Sequence, residues 1–363
     1  MKKQVTTESI KKVPVEYLWE GLTLEENVYN QDGSVLLVPA GQAITAKLLE
    51  RLMGFTDEKR FIMTGERAYE TIMKEHAGRL PQDQQELEKQ CGYTGLKNQV
   101  THLIKDVREQ GVIEPEQTET VVADAYQRVE NQRLSAILNC IDTPRPVDEA
   151  LERHCLNVAL LNAMIAKSMG LSEKETQQLI LTGTLHDIGK TKIPAEILNA
   201  PRRLTDEEFS IVKKHPVYSY QLLGSEIDEA VKEGVLYHHE RTDGTGYPKR
   251  LTLNIPLFAR ITAISDVYEA LVAKRSYKEA RVPFDVLDNL SGPMGQGLDE
   301  QILAVFAKEM IHHFKEKEVL LSDGSTGWVF FIPPNDMNHP VIRLADDSIR
   351  QTDAEWYCQK ILT

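Results

Sequence analysis

Residues 147–190 read VDEALERHCLNVALLNAMIAKSMGLSEKETQQLILTGTLHDIGK, and their pattern sets the fold class. Apolar residues recur at three and four from Leu151 to Met169, the spacing of a buried helical face, and Gly170 stops the run. Ser172 and Glu175 then form a capping box, a serine and a glutamate three apart that satisfy two orphan N–H groups at a helix start. Thr205 and Glu208 repeat that signature, and Pro216 stands at a helix entrance with His215 beside it. Residues 147–316 are therefore expected to form an all-α domain.

Outward from this stretch the character changes on both sides. EVLLSDGSTGWVFFIPP and HPVIRLAD, within 317–363, read as strands broken by turn residues, so a small β module is expected there. Residues 1–75 read as a small mixed α/β module. LTLEENVYNQDGSVLLVPAG carries two β-like runs around the Asp32-Gly33 turn, and ITAKLLERLMGF has helical spacing. In 76–146, LKNQVTHLIKDVREQG and QTETVVADAYQRVENQRLSAIL read as polar helices, a linker or a homodimer interface, ended by Pro144 and Pro146. The whole is expected to be mainly α.

Composition narrows the function classes. A net charge of -13 argues against sequence-blind binding of a nucleic acid polymer, which needs a cationic surface. Four scattered cysteines without a CxxC pair point to neither a disulfide framework nor a zinc knuckle. The opening MKKQVTTESIKK has no apolar stretch behind it, and VALLNAMIA is too short to span a bilayer. A cytoplasmic protein without membrane contact is expected.

Five of the ten histidines, His154, His186, His215, His238 and His239, fall between residues 154 and 239 of the helical region, joined by Asp187 and Asp266. Singly, each has a plain reading: a satisfied core histidine, a chance HD dipeptide, a surface HH pair such as His312 and His313. The ordered set on successive helices is harder to dismiss. His186 and Asp187 diverge by about 100° on a helix, so they can face two neighbouring metals rather than chelate one. Nitrogen and carboxylate oxygen without thiolate suit iron, manganese, nickel or zinc better than calcium or magnesium.

The succession LHDIGK, KKHP, HHERTDGTGYP and IPLFARITAISDVYEALVAKRSYK resembles the HD-GYP domain of the HD phosphohydrolase superfamily. That resemblance implies a phosphodiesterase acting on a cyclic dinucleotide, cyclic di-GMP opened to pGpG or on to GMP, with cyclic GMP-AMP as a related substrate. It implies two divalent metals, iron or manganese first, with His154, His186 and Asp266 on one, His215, His238 and His239 on the other, and Asp187 bridging. It places Lys190 near the reacting phosphate, Gly246, Tyr247 and Pro248 beside the pocket, and Arg275 and Lys278 on the nucleotide. The alternatives are a catalytically weak dinucleotide sensor and a hydrolase of another phosphate ester. Four departures stand out: Ala150 where some members carry a third-metal glutamate, Ser219 for glycine, Glu269 for aspartate, and NAPRR for a lysine-proline-glycine loop.

Overall fold

The computed structural model describes residues 11–14, 18, 21–30, 35–45, 47–48, 61–79, 92–131, 138, 141, 150–198, 200, 202–274 and 283–362. It divides into two units, Met1–Leu87 with Pro144–Ala150, and Glu88–Thr143 with Leu151–Thr363. As the hydrophobic pattern requires, the protein is mainly helical, with a small antiparallel sheet toward each end.

The first unit holds β1 (Lys11–Pro14), β2 (Val28–Tyr29), β3 (Leu36–Val38), β4 (Phe61–Thr64) and α1 (Glu66–Arg79). The strands pair antiparallel in the order β1-β4-β2-β3, with Val28 opposite Val38. Val13, Val28, Val38, Ile44, Ile62 and Ile72 form its core. The expected Asp32-Gly33 turn and most of the ITAKLLERLMGF helix lie outside the described residues.

The second unit begins with α2 (Tyr93–Gln110) and α3 (Pro115–Asn131). Gly111 ends α2 in the left-handed conformation, φ 74°, its N–H donating to the carbonyl of Val107. The stripe Tyr93, Leu96, Val100, Leu103, Ile104 and Val107 is wholly buried. It packs into the same core as the histidine-bearing helices. These helices, expected as a linker or interface, thus pack one apolar stripe into the core of the second unit.

Next come α4 (Ala150–Ser168), α5 (Glu173–Leu185), a 3-10 turn (Ile188–Lys192), α6 (Ala195–Leu198), α7 (Asp206–Val212) and α8 (His215–Leu222). They are followed by α9 (Glu229–Tyr237), α10 (Leu257–Lys274), α11 (Pro283–Ser291) and α12 (Glu300–Phe314). Both capping boxes form: Ser172 and Glu175 open α5, and Thr205 and Glu208 open α7. From Cys155 to Ala166 every residue of α4 is buried, so this helix is surrounded on all sides. The strands β5 (Glu318–Leu321), β6 (Thr326–Phe331), β7 (Val341–Leu344), β8 (Ile349–Gln351) and β9 (Cys358–Ile361) close the chain. They form an antiparallel sheet ordered β8-β7-β6-β5-β9, whose Val319, Leu321, Val329 and Ile342 join the helical core. No helix among the described residues is long and apolar enough to cross a membrane.

Close helix crossings set the position of the histidines. A Cβ added at Gly183 in α5 would lie 2.5 Å from Cα of Ala159 in α4, a backbone atom that cannot step aside. Gly183→Ala should therefore destabilise the metal-free protein by about 1–3 kcal/mol, overriding the better helix propensity of alanine. Urea unfolding measures this, and an unchanged or raised midpoint would show that the crossing is looser than described.

Candidate metal centre

Three of the five histidines stand at helix ends, and each uses an orphan carbonyl there. The last carbonyls of a helix have no partner within it. Nδ1 of His186 lies 2.8 Å from the carbonyl of Gly183, at the end of α5. Nδ1 of His215 and of His238 each lie 2.7 Å from a carbonyl three residues back, Val212 in α7 and Val235 in α9. A carbonyl can only accept, so each Nδ1 carries the proton and each Nε2 presents a lone pair. Three helix C-termini, the negative ends of their dipoles, thus converge on one place.

The Nε2 atoms meet. His186 and His154 approach to 3.2 Å, His215 and His239 to 3.1 Å, and His215 and His238 to 3.4 Å between these nitrogens. Asp187 lies between them: one oxygen is 3.2 Å from Nε2 of His154 and 3.5 Å from that of His186, the other 3.0 Å from Nε2 of His215. Asp266, from α10, is 3.1 Å from Nε2 of His154 and 3.7 Å from Nδ1 of His239. Two groups of ligand atoms result, Asp187 with His215, His238 and His239, and His154 with His186 and Asp266. All seven expected residues are therefore brought together.

The donor set fits divalent cations. Oδ1 of Asp187 is buried and has no well-directed hydrogen bond, although His215 is near. Imidazole lone pairs that face one another and an orphaned buried carboxylate oxygen are both costly unless a cation lies among them. Burial favours the neutral form of His186, and of His238 and His239 more strongly, holding all three below the ordinary imidazole value. Burial would lower His154 too, but the carboxylates of Glu269, Asp187 and Asp266 raise it well above that value. Burial would raise Asp187, yet Lys190 and the imidazoles of His186 and His215 keep it well below the usual carboxylate value.

The remaining expected residues divide. Lys190, in the 3-10 turn, makes a very short ion pair with Asp187, which outweighs burial and raises its pKa, so it is a cation at neutral pH. The Gly246–Tyr247–Pro248 loop folds back on the HH pair: a Cβ at Gly246 would sit 2.5 Å from the carbonyl oxygen of His239. The Tyr247 ring stacks on the His239 ring at 4.5 Å between centroids, with 28° between planes. Burial, reinforced by Asp266 and Asp187, pushes the phenol pKa up, so it stays neutral. Arg275 and Lys278 lie outside the described residues.

Sequence reasoning passed over several supports. Glu240, the acid of HHE, accepts from the backbone N–H groups of Lys249 and Leu251 and pins the loop. Ser219 fills the place of the expected glycine productively: it accepts from the N–H of Gly189 and donates to the carbonyl of His186, tying the HD turn to α8. Glu269 accepts from Nδ1–H of His154 at 2.6 Å. The available signal was spacing, since Asn157 and Glu269 lie three residues after His154 and Asp266 and so share their helix faces.

A family model described as an HD domain matches residues 120–302, just over half of the 363-residue chain. The chain therefore belongs to the HD domain family, and its motifs make it of the HD-GYP type. HD phosphohydrolases are metal-dependent, and the cluster could bind metal. The cyclic di-GMP phosphodiesterase response regulator RpfG of Xanthomonas campestris pv. campestris is 43% identical over 121 residues, covering 32% of each chain. The 3'3'-cGAMP-specific phosphodiesterase 2 of Vibrio cholerae is 35% identical over 167 residues, 45% of this chain and 31% of that one. The chain thus aligns with about a third of the length of these two relatives. Bd1817, an HDG"Y"P protein from Bdellovibrio bacteriovorus, shares the fold at a TM-score of 0.50 and 18% identity, covering 83% of this chain and 99% of that one.

The imidazole shifts predict a pH dependence of stability. His186, His238 and His239 have folded-state values below the ordinary imidazole value of 6.5, so below about that pH the unfolded chain binds protons that the folded chain refuses. Stability of chelated, metal-free protein should fall as the pH drops from about 6.5 to about 5. His154, shifted upward, bears only on the range above 6.5, where stability declines as pH rises. Urea midpoints across this range measure it, and a midpoint that rises on acidification would contradict the neutral-imidazole arrangement.

Proposed function

We propose that the chain is a metal-dependent phosphodiesterase that opens a cyclic dinucleotide, cyclic di-GMP first, to a linear product such as pGpG. The observation carrying this reading is the division of Asp187 between two ligand groups, one oxygen toward each. His154, His186 and Asp266 would hold one cation, His215, His238 and His239 the other, with Asp187 shared. Nitrogen and carboxylate ligation favours iron or manganese, with nickel or zinc next. Ala150, one helical turn before His154, offers no ligand, which favours two cations over three. Bound there, a metal pair supplies Lewis acidity toward phosphate oxygens and brings the pKa of a water near neutrality.

The chain's own residues do the rest. The backbone-locked imidazoles hold the ligand set without reorganisation. Lys190, a cation beside Asp187, acts as a charge on the phosphate or a proton donor to the leaving oxygen, not as a base. Tyr247 and Pro248 wall the His239 side and give a base or sugar a neutral surface. Arg275 and Lys278 are assigned to the nucleotide phosphates by the motif they stand in. Residues 147–316 carry the chemistry, with 1–75 and 317–363 as accessory modules. The names of the relatives support a cyclic dinucleotide as substrate, with cyclic GMP-AMP as the second candidate.

Protein reconstituted anaerobically with iron or manganese should hydrolyse cyclic di-GMP with about two metals per chain. Asp187→Ala should lose both metals and reduce turnover by roughly 10³-fold or more. Full loading and tight dinucleotide binding without turnover would make the chain a sensor instead. Turnover of cyclic GMP-AMP alone would move the substrate.

A further inference from the structure

His154 differs from the other histidines of the cluster. Nδ1 of His186, His215 and His238 is held by a backbone carbonyl, but Nδ1 of His154 is held by a carboxylate, Oε2 of Glu269 at 2.6 Å. The arrangement does not stop there. Asn157 donates from Nδ2 to Oε1 of Glu269 at 2.8 Å. The hydroxyl of Tyr93 donates in turn to Oδ1 of Asn157 at 2.6 Å. Glu269 is 1% exposed, Asn157 0% and Tyr93 2%, so this line of hydrogen bonds is closed to solvent. A carboxylate so deeply buried is expensive unless hydrogen-bonded, and both of its oxygens have a named partner here.

Resting on the metal-site reading above, we infer that Glu269, held by Asn157 and Tyr93, is the positioning residue that fixes the tautomer and ring orientation of His154 and so sets the metal affinity of the His154–His186–Asp266 group. The physical reason is twofold. In the neutral, ligating ring, an Nδ1–H bound to a carboxylate keeps the lone pair on Nε2 and strengthens it as a ligand, an effect that a backbone carbonyl supplies more weakly. His154 also sits in the second turn of α4, far from the C-terminal end where orphan carbonyls lie, so another helix must supply the partner. Glu269, three residues beyond Asp266 on α10, does so from the same helix that delivers a ligand. Tyr93 lies in the first turn of α2, outside the 120–302 span of the family match. The hydrogen-bonded support of His154 therefore reaches a helix outside that span.

The test is metal affinity and proton NMR on the full chain. Glu269→Gln keeps the shape and removes the charge. Titration with Mn²⁺ should show one of two binding steps weakened about 10- to 100-fold and the other unchanged. His154→Ala should affect the same step. Tyr93→Phe, which leaves the Asn157 carbonyl without this donor, should weaken that step by a smaller factor. Independently of metal and turnover, the His154 Nδ1 proton should resonate far downfield in chelated wild type, vanish in His154→Ala and move upfield in Glu269→Gln. Two unchanged binding steps in Glu269→Gln, or a downfield proton indifferent to it, would overturn the inference. If Glu269→Gln does not fold, an unaltered first and second step in Tyr93→Phe with an unmoved resonance would overturn it equally. A wild type that binds no Mn²⁺ yet shows the downfield proton would instead count against the metal-site reading.

Discussion

Everything in the helical unit is arranged around one buried charge, the carboxylate of Asp187. It is 1% exposed, and burying such a charge costs several kcal/mol unless it is paired and hydrogen-bonded on all sides. One of its oxygens faces His154 and His186, the other His215, and Lys190 reaches it from one turn along the chain. That requirement dictates the helix endings. α5 and α9 stop one residue before His186 and His238, and α7 ends at Val212, three residues before the His215 that opens α8, because continuing helices would carry the imidazoles past the carboxylate. The same endings free the carbonyls that lock the rings.

The demand for close approach spreads outward from there. Gly183 lets α5 lie against α4, and Gly234 in α9 meets Thr182 of α5 and Phe258 of α10 at distances that leave no room for a Cβ. Gly189 does the same for the HD turn against α8, where Ser219 adds two hydrogen bonds. Small residues at these crossings, and not large apolar ones, decide how near the ligands come. The apolar stripe of α2 and residues Val319, Leu321, Val329 and Ile342 of the C-terminal sheet complete the same core.

Much of this was legible in the sequence because metal ligands are drawn from few residue types and must recur on successive elements. His154, the HD pair, the KKHP histidine, the HH pair and Asp266 could be read in order, and the capping boxes at Ser172 and Thr205 gave the helix starts. Glu269 stood out only as a departure from aspartate and Asn157 not at all, because their three-residue spacing from Asp266 and His154 gains meaning only once the two helices face each other. The α2 stripe was visible as periodicity, but periodicity does not say whether the partner is the same chain or another. Glu240 was hidden by its neighbours, since the HH pair drew the chemical reading while its carboxylate serves the backbone of the GYP loop.

The arrangement proposed for the site has Asp187 shared by two cations. Anomalous diffraction from crystals of manganese- or iron-loaded protein, collected on both sides of the metal edge, tests it directly. The account requires two peaks roughly 3.5–4 Å apart, one on each side of the Asp187 carboxylate. A single peak, or a pair that Asp187 does not touch, would contradict it.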